Sequence, residues 1–294
     1  MRAGKGFRGS ARRASLLPLR YGIGPERLRS RLRSMAEVLA RWETTPTVPV
    51  TTSALERHPA LAEDLRRVDP AIHGYRHTRY SALRETEQAR DLDEAMASFR
   101  RHGLPAHGFR APYLAANETT RTLLKARGFA YDSSACALSL PQGHPAAPSV
   151  LRLAKARYGP VPEGPRGVQT DGGFVELPVA LPDDEILIDG LGIENPEELT
   201  RIFRAMLEPC LRSGGLLVLQ VHPERFHLCA AAVEGLLRSS RDKGAWIAPL
   251  SEIAAHARNA PRGGWPGGQS MAVAVTGDLD AVSLLDFVHR LWGG

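Results

Sequence analysis

Hydrophobic positions along the chain follow helical spacing in some segments and short β-type runs in others. Apolar residues recur at steps of three and four from Pro25 to Trp42, which predicts an amphipathic helix with proline at its start. Further helices are predicted over 55–68, 81–102, 118–127, 196–211, 230–240 and 283–291. Strands are predicted over 47–52, 71–73, 107–110, 129–131, 175–179, 216–221, 246–248 and 272–276.

This alternation of strands and helices favours an α/β fold with a parallel sheet and helical crossovers, either closed or open. The segment 216–221 is nearly continuous apolar sequence, as expected for a strand buried on both faces of such a sheet. Residues 138–172 are rich in proline and glycine and carry little pattern, so an excursion from the core is predicted there. We predict a single domain over 21–294.

Charge is unevenly distributed along the chain. The net charge is +6, but residues 1–33 hold ten Lys/Arg and the single acid Glu26. Residues 1–20 are therefore predicted to be a basic, flexible, solvated arm, and weak contact with an anionic membrane or nucleic acid is the alternative. No apolar run approaches the roughly 18 residues of a membrane span. Together with the lack of a signal-peptide pattern, this predicts a cytoplasmic protein, with an organelle transit peptide as the alternative.

Three cysteines, Cys136, Cys210 and Cys229, show no CxxC spacing. Buried free thiols in a reducing compartment are therefore expected, rather than a disulfide framework or a zinc ribbon.

Residues suited to hydrolytic chemistry follow several predicted strands, where the active sites of barrels gather. His73 and His77 are four residues apart, a workable spacing for two nitrogen ligands of one divalent metal. Arg110 ends a short strand and can orient a carboxylate, and Tyr113 after Pro112 can offer its backbone N–H to an oxyanion. Taken alone, each of these residues is also compatible with an ordinary polar loop or a surface arginine.

Further candidates follow the later strands. His222 comes directly after the most apolar strand and can act as a general acid, or can simply bond to the backbone. Asp278 and Asp280 follow the last strand, where one can bind a metal and the other can take a proton, or both can form a polar turn. Asp183 and Asp184 form another acidic pair, for which a helix N-cap is an equally good interpretation.

Together these residues resemble the polysaccharide deacetylase family, carbohydrate esterase family 4. The resemblance covers about residues 25–257 and is carried, in the order that the family shows, by the stretches 72–77, 108–113, 128–134, 177–184 and 221–224. It implies an irregular (β/α) barrel with fewer than eight regular strands.

One element of the family is absent from its usual position. Members normally open with a strand that ends in an aspartate motif, whereas here that strand resembles residues 265–281, which contain Asp278-Leu279-Asp280-Ala281. We hypothesise a circular permutation, in which 265–294 supply the displaced first strand and helix and Pro261–Gly268 is the linker. The hypothesis predicts that Asp278 comes close to His73 and His77.

The resemblance also implies a role for each candidate. Zn²⁺ or another divalent transition metal would be held by Asp280, His73 and His77. Asp278 would be the general base oriented by Arg110, and the Tyr113 N–H would bind the oxyanion. His222 would protonate the leaving amine, with Asp184 or Asp183 keeping it charged.

The implied reaction is removal of an N-acetyl group, or less favourably an O-acetyl group, from an acetylated sugar that is a polysaccharide, an oligosaccharide or lipid-linked. Three other functions remain open at this point. They are a catalytically inactive carbohydrate-binding barrel, a nucleic-acid or membrane-associated protein that uses the basic arm, and a hydrolase of a non-peptide C–N bond in a small non-sugar amide.

Overall fold

Short strands, almost all parallel, form the centre of the molecule in the computed structural model, which describes residues 20–213, 215–259 and 264–292. The strands are β1 (Thr47–Val50), β2 (Asp69–Ile72), β3 (Gly108–Phe109), β4 (Tyr131–Asp132), β5 (Cys136–Leu138), β6 (Gln169–Asp171), β7 (Phe174–Glu176), β8 (Val179–Leu181), β9 (Leu216–Val221), β10 (Trp246–Ile247) and β11 (Ala272–Gly277). The helices are α1 (Glu26–Ala40), α2 (Thr52–Arg57), α3 (Leu61–Leu65), α4 (Glu85–Arg101), α5 (Glu118–Ala126), α6 (Ala147–Tyr158), α7 (Pro196–Ala205), α8 (Leu207–Arg212), α9 (Phe226–Asp242), α10 (Leu250–Asn259) and α11 (Leu284–Trp292).

The parallel strand pairings continue around a ring. One path runs β11–β1–β2–β3–β4–β7, and a second runs β5–β8–β9–β11. Strand β4 leads into β5 and β7 leads into β8 after two or three residues, so the two paths join and the sheet closes. Only β6, which pairs with β7, is antiparallel among the described strands. The predicted irregular α/β barrel is confirmed.

Strand β11 lies inside this barrel although it comes from the end of the sequence. It pairs with β9 over six residues, from Ala272 opposite Leu216 to Gly277 opposite Val221. On its other side Thr276 pairs with β1, and the Leu279 N–H donates to the Pro49 carbonyl at 2.8 Å. All six residues of β11 are buried, so the last strand is a central part of the barrel.

The helix after β11 is anchored by a buried carboxylate, that of Asp286. Ser283 precedes helix α11, and its N–H and hydroxyl donate to Asp286 at 3.1 and 3.2 Å. In return, the Asp286 N–H donates to the Ser283 hydroxyl at 3.2 Å, which makes a reciprocal cap. The same carboxylate contacts His58 Nε2 at 2.8 Å and pairs with Arg57, so it ties α11 to the end of α2.

Three predicted elements are wrong because local breaks divide them. The helix expected over 55–68 is two short helices, α2 and α3, separated by Pro59, which lacks an N–H and cannot continue a helix. The strand expected over 175–179 is two strands, β7 and β8, which pair with different neighbours, β4 and β9. The helices expected over 81–102 and 196–211 are also shorter or divided, since α4 begins at Glu85 and Met206 separates α7 from α8.

The excursion expected over 138–172 is also wrong in part. Helix α6 spans twelve of these residues and buries Val150 and Ala154 in the main hydrophobic cluster. These two residues and Tyr158 are spaced at four-residue steps, which is the helical signal that the flanking prolines and glycines obscured.

Most of the predicted N-terminal arm and part of the predicted linker lie outside the described residues, whereas all three cysteines lie within them. Apart from Arg20, which is buried and bonds to Asp189 at 3.0 Å, the predicted basic arm lies outside the described residues. Part of the predicted linker, 261–263, also lies outside them. The three cysteines are buried free thiols, as predicted. No helix in the described ranges is long and apolar enough to cross a membrane.

Replacing Asp286 by Ala should loosen the C-terminal helix. The substitution removes both the cap of α11 and the partner of Arg57 and His58, so the free energy of unfolding should fall by about 2 kcal/mol. Urea unfolding measures this change, and Glu252→Ala on the exposed side of α10 is the control. Equal unfolding midpoints for the two variants would show that the anchor does not stabilise the barrel.

Candidate functional site

The predicted chemical residues lie at one end of the barrel, because each follows the carboxyl end of a parallel strand. His73 follows β2 and Arg110 follows β3. His222 follows β9, and Asp278 follows β11. All four residues are at most 5% exposed.

Two imidazoles and a carboxylate converge at this end. Asp280 Oδ1 lies 3.1 Å from His77 Nε2 and 3.4 Å from His73 Nε2. The ligand atoms of the three residues all lie within 4.8 Å of one another. Nδ1 of His73 is 2.8 Å from the Arg110 carbonyl, which can only accept a hydrogen bond. The Nδ1 atom therefore carries the proton and leaves the lone pair on Nε2 directed toward Asp280.

This group, which we call the His-His-Asp triad (His73, His77 and Asp280), fits a metal ion. Two imidazole nitrogens and one carboxylate oxygen are a ligand set of catalytic zinc sites, which keep a fourth position open. Ligand atoms about 2.0–2.1 Å from a tetrahedral Zn²⁺ lie roughly 3.3 Å apart. The contacts of Asp280 with the two imidazoles match that spacing.

The loop that carries both histidines is held by Asp91 on helix α4. The Asp91 carboxylate accepts hydrogen bonds from the N–H groups of Tyr75 at 2.8 Å and Arg76 at 3.0 Å, and from the Tyr80 hydroxyl. Gly74 has φ +76°, and a Cβ there would lie 3.0 Å from the Arg76 carbonyl. Nothing in the sequence distinguishes Asp91, since it lies in a charged helical segment where other acids look equivalent.

A buried ion pair joins β3 to β11. Arg110 is fully buried, and its Nη1 donates to Asp278 Oδ1 at 2.6 Å and to the Thr276 hydroxyl at 2.7 Å. Gln220 donates to the other oxygen of Asp278 at 3.0 Å. The guanidinium also donates through Nε to the Ser133 carbonyl at 3.0 Å and through Nη2 to the Ser133 hydroxyl at 2.8 Å. Sequence reasoning assigned no role to Gln220, Ser133 or Thr276, because their contacts are long-range.

The two aspartates after β11 share one face of the chain because strand side chains alternate with a period of two. Leu279 between them is buried in a hydrophobic cluster with Val50 and Val282. Asp280 thus reaches the imidazoles while Asp278 binds Arg110, whose carbonyl in turn holds His73.

A second histidine–carboxylate pair faces the same end of the barrel. His222 Nδ1 lies 2.6 Å from Asp184 Oδ1, and the His222 N–H donates to Asp184 Oδ2 at 2.8 Å. Burial alone would lower the pKa of His222, but the charge and hydrogen bond of Asp184, helped by Glu224, raise this pKa well above its ordinary value. The imidazole therefore keeps its proton to higher pH than an ordinary histidine does.

The neighbouring Asp183 plays a different part. Its Oδ1 accepts from the Ile186 N–H at 2.8 Å, which caps the π-helical turn Glu185–Gly190, and Oδ2 accepts from the Tyr158 hydroxyl. Burial, with the adjacent charges of Asp184 and Glu185, raises the pKa of Asp183 to about 6. Of the acidic pair, Asp184 contacts the histidine and Asp183 is the helix cap.

Tyr113 stands beside the triad. Its backbone is in the left-handed region with φ +59°, and its ring packs edge-on against His77 with centroids 4.6 Å apart. The Arg79 guanidinium covers the ring at 5.2 Å, and the residue is 37% exposed.

A cleft of about 330 Å³ opens directly beside the triad. His77 and Asp280 form part of its wall. The other lining residues are Thr51, Ser53, Arg57, Tyr75, Arg76, Thr78, Asp286 and His289.

Comparison with known proteins shows which family the chain resembles. The sequence profile described as polysaccharide deacetylase matches residues 16–131. A Mycobacterium smegmatis protein designated a polysaccharide deacetylase is 26% identical, with a TM-score of 0.62 over 82% of this chain and 80% of its own. No curated protein matches the chain.

Two further solved structures support the fold. A Pseudomonas aeruginosa PAO1 protein with the same designation is 19% identical, with a TM-score of 0.58 over 78% of this chain and 73% of its own. Puue allantoinase is 17% identical, with a TM-score of 0.56 over 76% of this chain and 70% of its own. With the barrel, the motif order and the family profile in agreement, the chain is similar to the polysaccharide deacetylases, a family of hydrolytic enzymes.

Proposed function

We propose that the chain is a zinc-dependent deacetylase that removes an N-acetyl group from a carbohydrate, whether a polysaccharide, an oligosaccharide or a lipid-linked sugar. The observation that supports this most strongly is the convergence of His73, His77 and Asp280 at the carboxyl end of the barrel. These three residues would hold the metal. When bound, the metal would polarise the acetyl carbonyl and lower the pKa of the attacking water.

Asp278 is the proposed general base. Arg110 and Gln220 each hold one oxygen of its carboxylate, so the group has a fixed orientation from which to accept a proton from water. The backbone N–H of Tyr113 is proposed to stabilise the oxyanion that develops on the acetyl group. The ring of Tyr113 against His77 supports its place beside the reacting centre.

His222 is the proposed general acid. Asp184 stabilises the charged imidazole and orients it through Nδ1, which leaves Nε2–H to donate a proton to the leaving amine. A sugar amine is a poor leaving group unless protonated, so this step matters as much as the attack on the carbonyl.

We further propose that β11 is the opening strand of the family, displaced to the end of this chain by circular permutation. The position of β11 between β9 and β1 supports this, because a strand that closes a ring can enter it from either side of the sequence. The Asp-x-Asp pair that follows β11 then occupies the place of the family's aspartate motif.

Replacing His77 by Ala should abolish metal binding and activity together, because only two ligands of the triad remain. Metal content measured by mass spectrometry on the purified full-length chain tests this, and His144→Ala, outside the triad, is the control. One equivalent of zinc retained in the His77 variant would contradict the ligand assignment. A wild-type chain that purifies and reconstitutes without zinc would favour an inactive carbohydrate-binding barrel instead.

Replacing His222 by Ala should leave metal content unchanged and lower kcat by roughly 10²–10⁴-fold, the usual contribution of a general acid. If the fall in kcat is accompanied by loss of zinc, the role assigned to His222 is wrong.

The pH dependence of the reaction should follow the His222–Asp184 pair. His222 acts in its protonated form, and Asp184 raises its pKa, so activity persists to higher pH than an ordinary histidine permits. In Asp184→Asn the pKa falls, and the alkaline limb of the kcat profile should move to lower pH. A limb that stays in place would mean that another group sets it.

Replacing Asp91 by Ala should weaken metal binding by about tenfold, because outer groups that orient ligands typically contribute this much. The backbone of the His73–His77 loop loses its carboxylate anchor, while the ligands remain. Zinc affinity by competition with a chelator is the measurement. Asp93→Ala on the same helix, an exposed residue that pairs with Arg127, is the matched control and should leave the affinity unchanged.

A further inference from the structure

We propose that the cleft beside the His-His-Asp triad binds an anionic substituent of the sugar, a phosphate ester or a carboxylate, so that the substrate is a negatively charged N-acetylated sugar. This inference rests on the proposed function. It concerns a part of the site that none of the catalytic roles above uses.

The cleft is in the right place to select the substrate. His77 and Asp280 form one part of its wall, so a ligand in the cleft lies next to the proposed reaction centre. Its volume, about 330 Å³, is within the range of small-molecule sites, roughly 300–1,000 Å³. A group held here can therefore belong to the same sugar whose acetyl group reacts.

Two arginines bring positive charge to the cleft. Its lining includes Arg57 and Arg76, together with the acids Asp280 and Asp286. The charge of Asp286 is already matched by its ion pair with Arg57. Asp280 is the proposed ligand of a doubly charged cation, so neither acid balances Arg76.

Arg76 is the residue best suited to contact the anion. Its backbone N–H is bound by Asp91, which fixes the position of the residue, while its side chain is exposed. Among the residues that the structure describes, no carboxylate pairs with its guanidinium. A planar guanidinium binds phosphate or carboxylate through two parallel hydrogen bonds, and such charged bonds are about twice as strong as neutral ones.

Hydroxyl groups in the cleft wall add hydrogen-bonding capacity. Thr51 and Thr78 both line the cleft, and within the described ranges neither hydroxyl has a hydrogen-bond partner. Both oxygens are covered within the wall, so each hydroxyl would reach a ligand in the cleft only after rotation of its side chain. Oxyanions and sugar hydroxyls both supply acceptors for such groups.

Binding of sugars that cannot react separates this inference from catalysis. Glucose, glucose 6-phosphate and glucuronate lack an acetamide, and their affinities for the zinc-loaded full-length protein can be measured by calorimetry. At least one of the charged sugars should bind about tenfold more tightly than glucose, as expected for one charged hydrogen-bonding pair. The phosphate and carboxylate arms identify which oxyanion the cleft prefers.

Arg76→Gln should reduce that preference to about twofold or less, because the guanidinium rather than the metal supplies it. Arg90→Gln, an exposed arginine on α4 that pairs with Glu94, is the matched control and should keep the full preference. Equal affinity of the wild type for the three sugars, no measurable binding of any, or an undiminished preference in Arg76→Gln would each overturn the proposal.

Deacetylation assays then distinguish the two proposals. If neutral N-acetylated sugars are hydrolysed as fast as charged ones and binding shows no preference, the proposed deacetylase function stands and the proposed anion site is wrong. If charged sugars bind through Arg76 but no acetyl group is hydrolysed, the proposed anion site stands and the proposed deacetylase function is wrong.

Discussion

The buried pair of Arg110 and Asp278 is the contact on which the site depends. It joins two strands whose residues are far apart in sequence, and its charges are tolerated because Thr276, Ser133 and Gln220 satisfy the remaining polar atoms. The same arginine holds His73 through its carbonyl. One residue therefore positions the proposed base with its side chain and a proposed metal ligand with its backbone.

Around this pair, the barrel brings together groups that no local segment could assemble. The histidines come from the loop after β2, the aspartates from the segment after β11 and the charged imidazole from the end of β9. Closing the sheet places all of these strand ends on one rim. Contacts from the surrounding helices fix the directions of these side chains. Asp91, for example, binds the backbone of the loop that carries the histidines. The same contacts also stabilise the fold.

The sequence was sufficient for the fold class and for the side chains that follow buried strands, because apolar runs and the spacing of two between Asp278 and Asp280 are local signals. It was insufficient for features that depend on contacts between segments far apart in the sequence. Gln220 is part of an apolar strand, and only the structure brings it to Asp278. Helix α6 was missed because prolines and glycines flank it, although its buried face has helical spacing.

The position of β11 has a consequence for biosynthesis. Strands β1 and β9 both pair with β11, so neither strand can complete its pairing until residues 272–277 have left the ribosome. Until then, two strands of the nascent chain have unpaired edges, which are the sites where other chains add and aggregates begin. The closed sheet therefore forms only after β11 has been synthesised, although the residues of β1 and β2 are available much earlier.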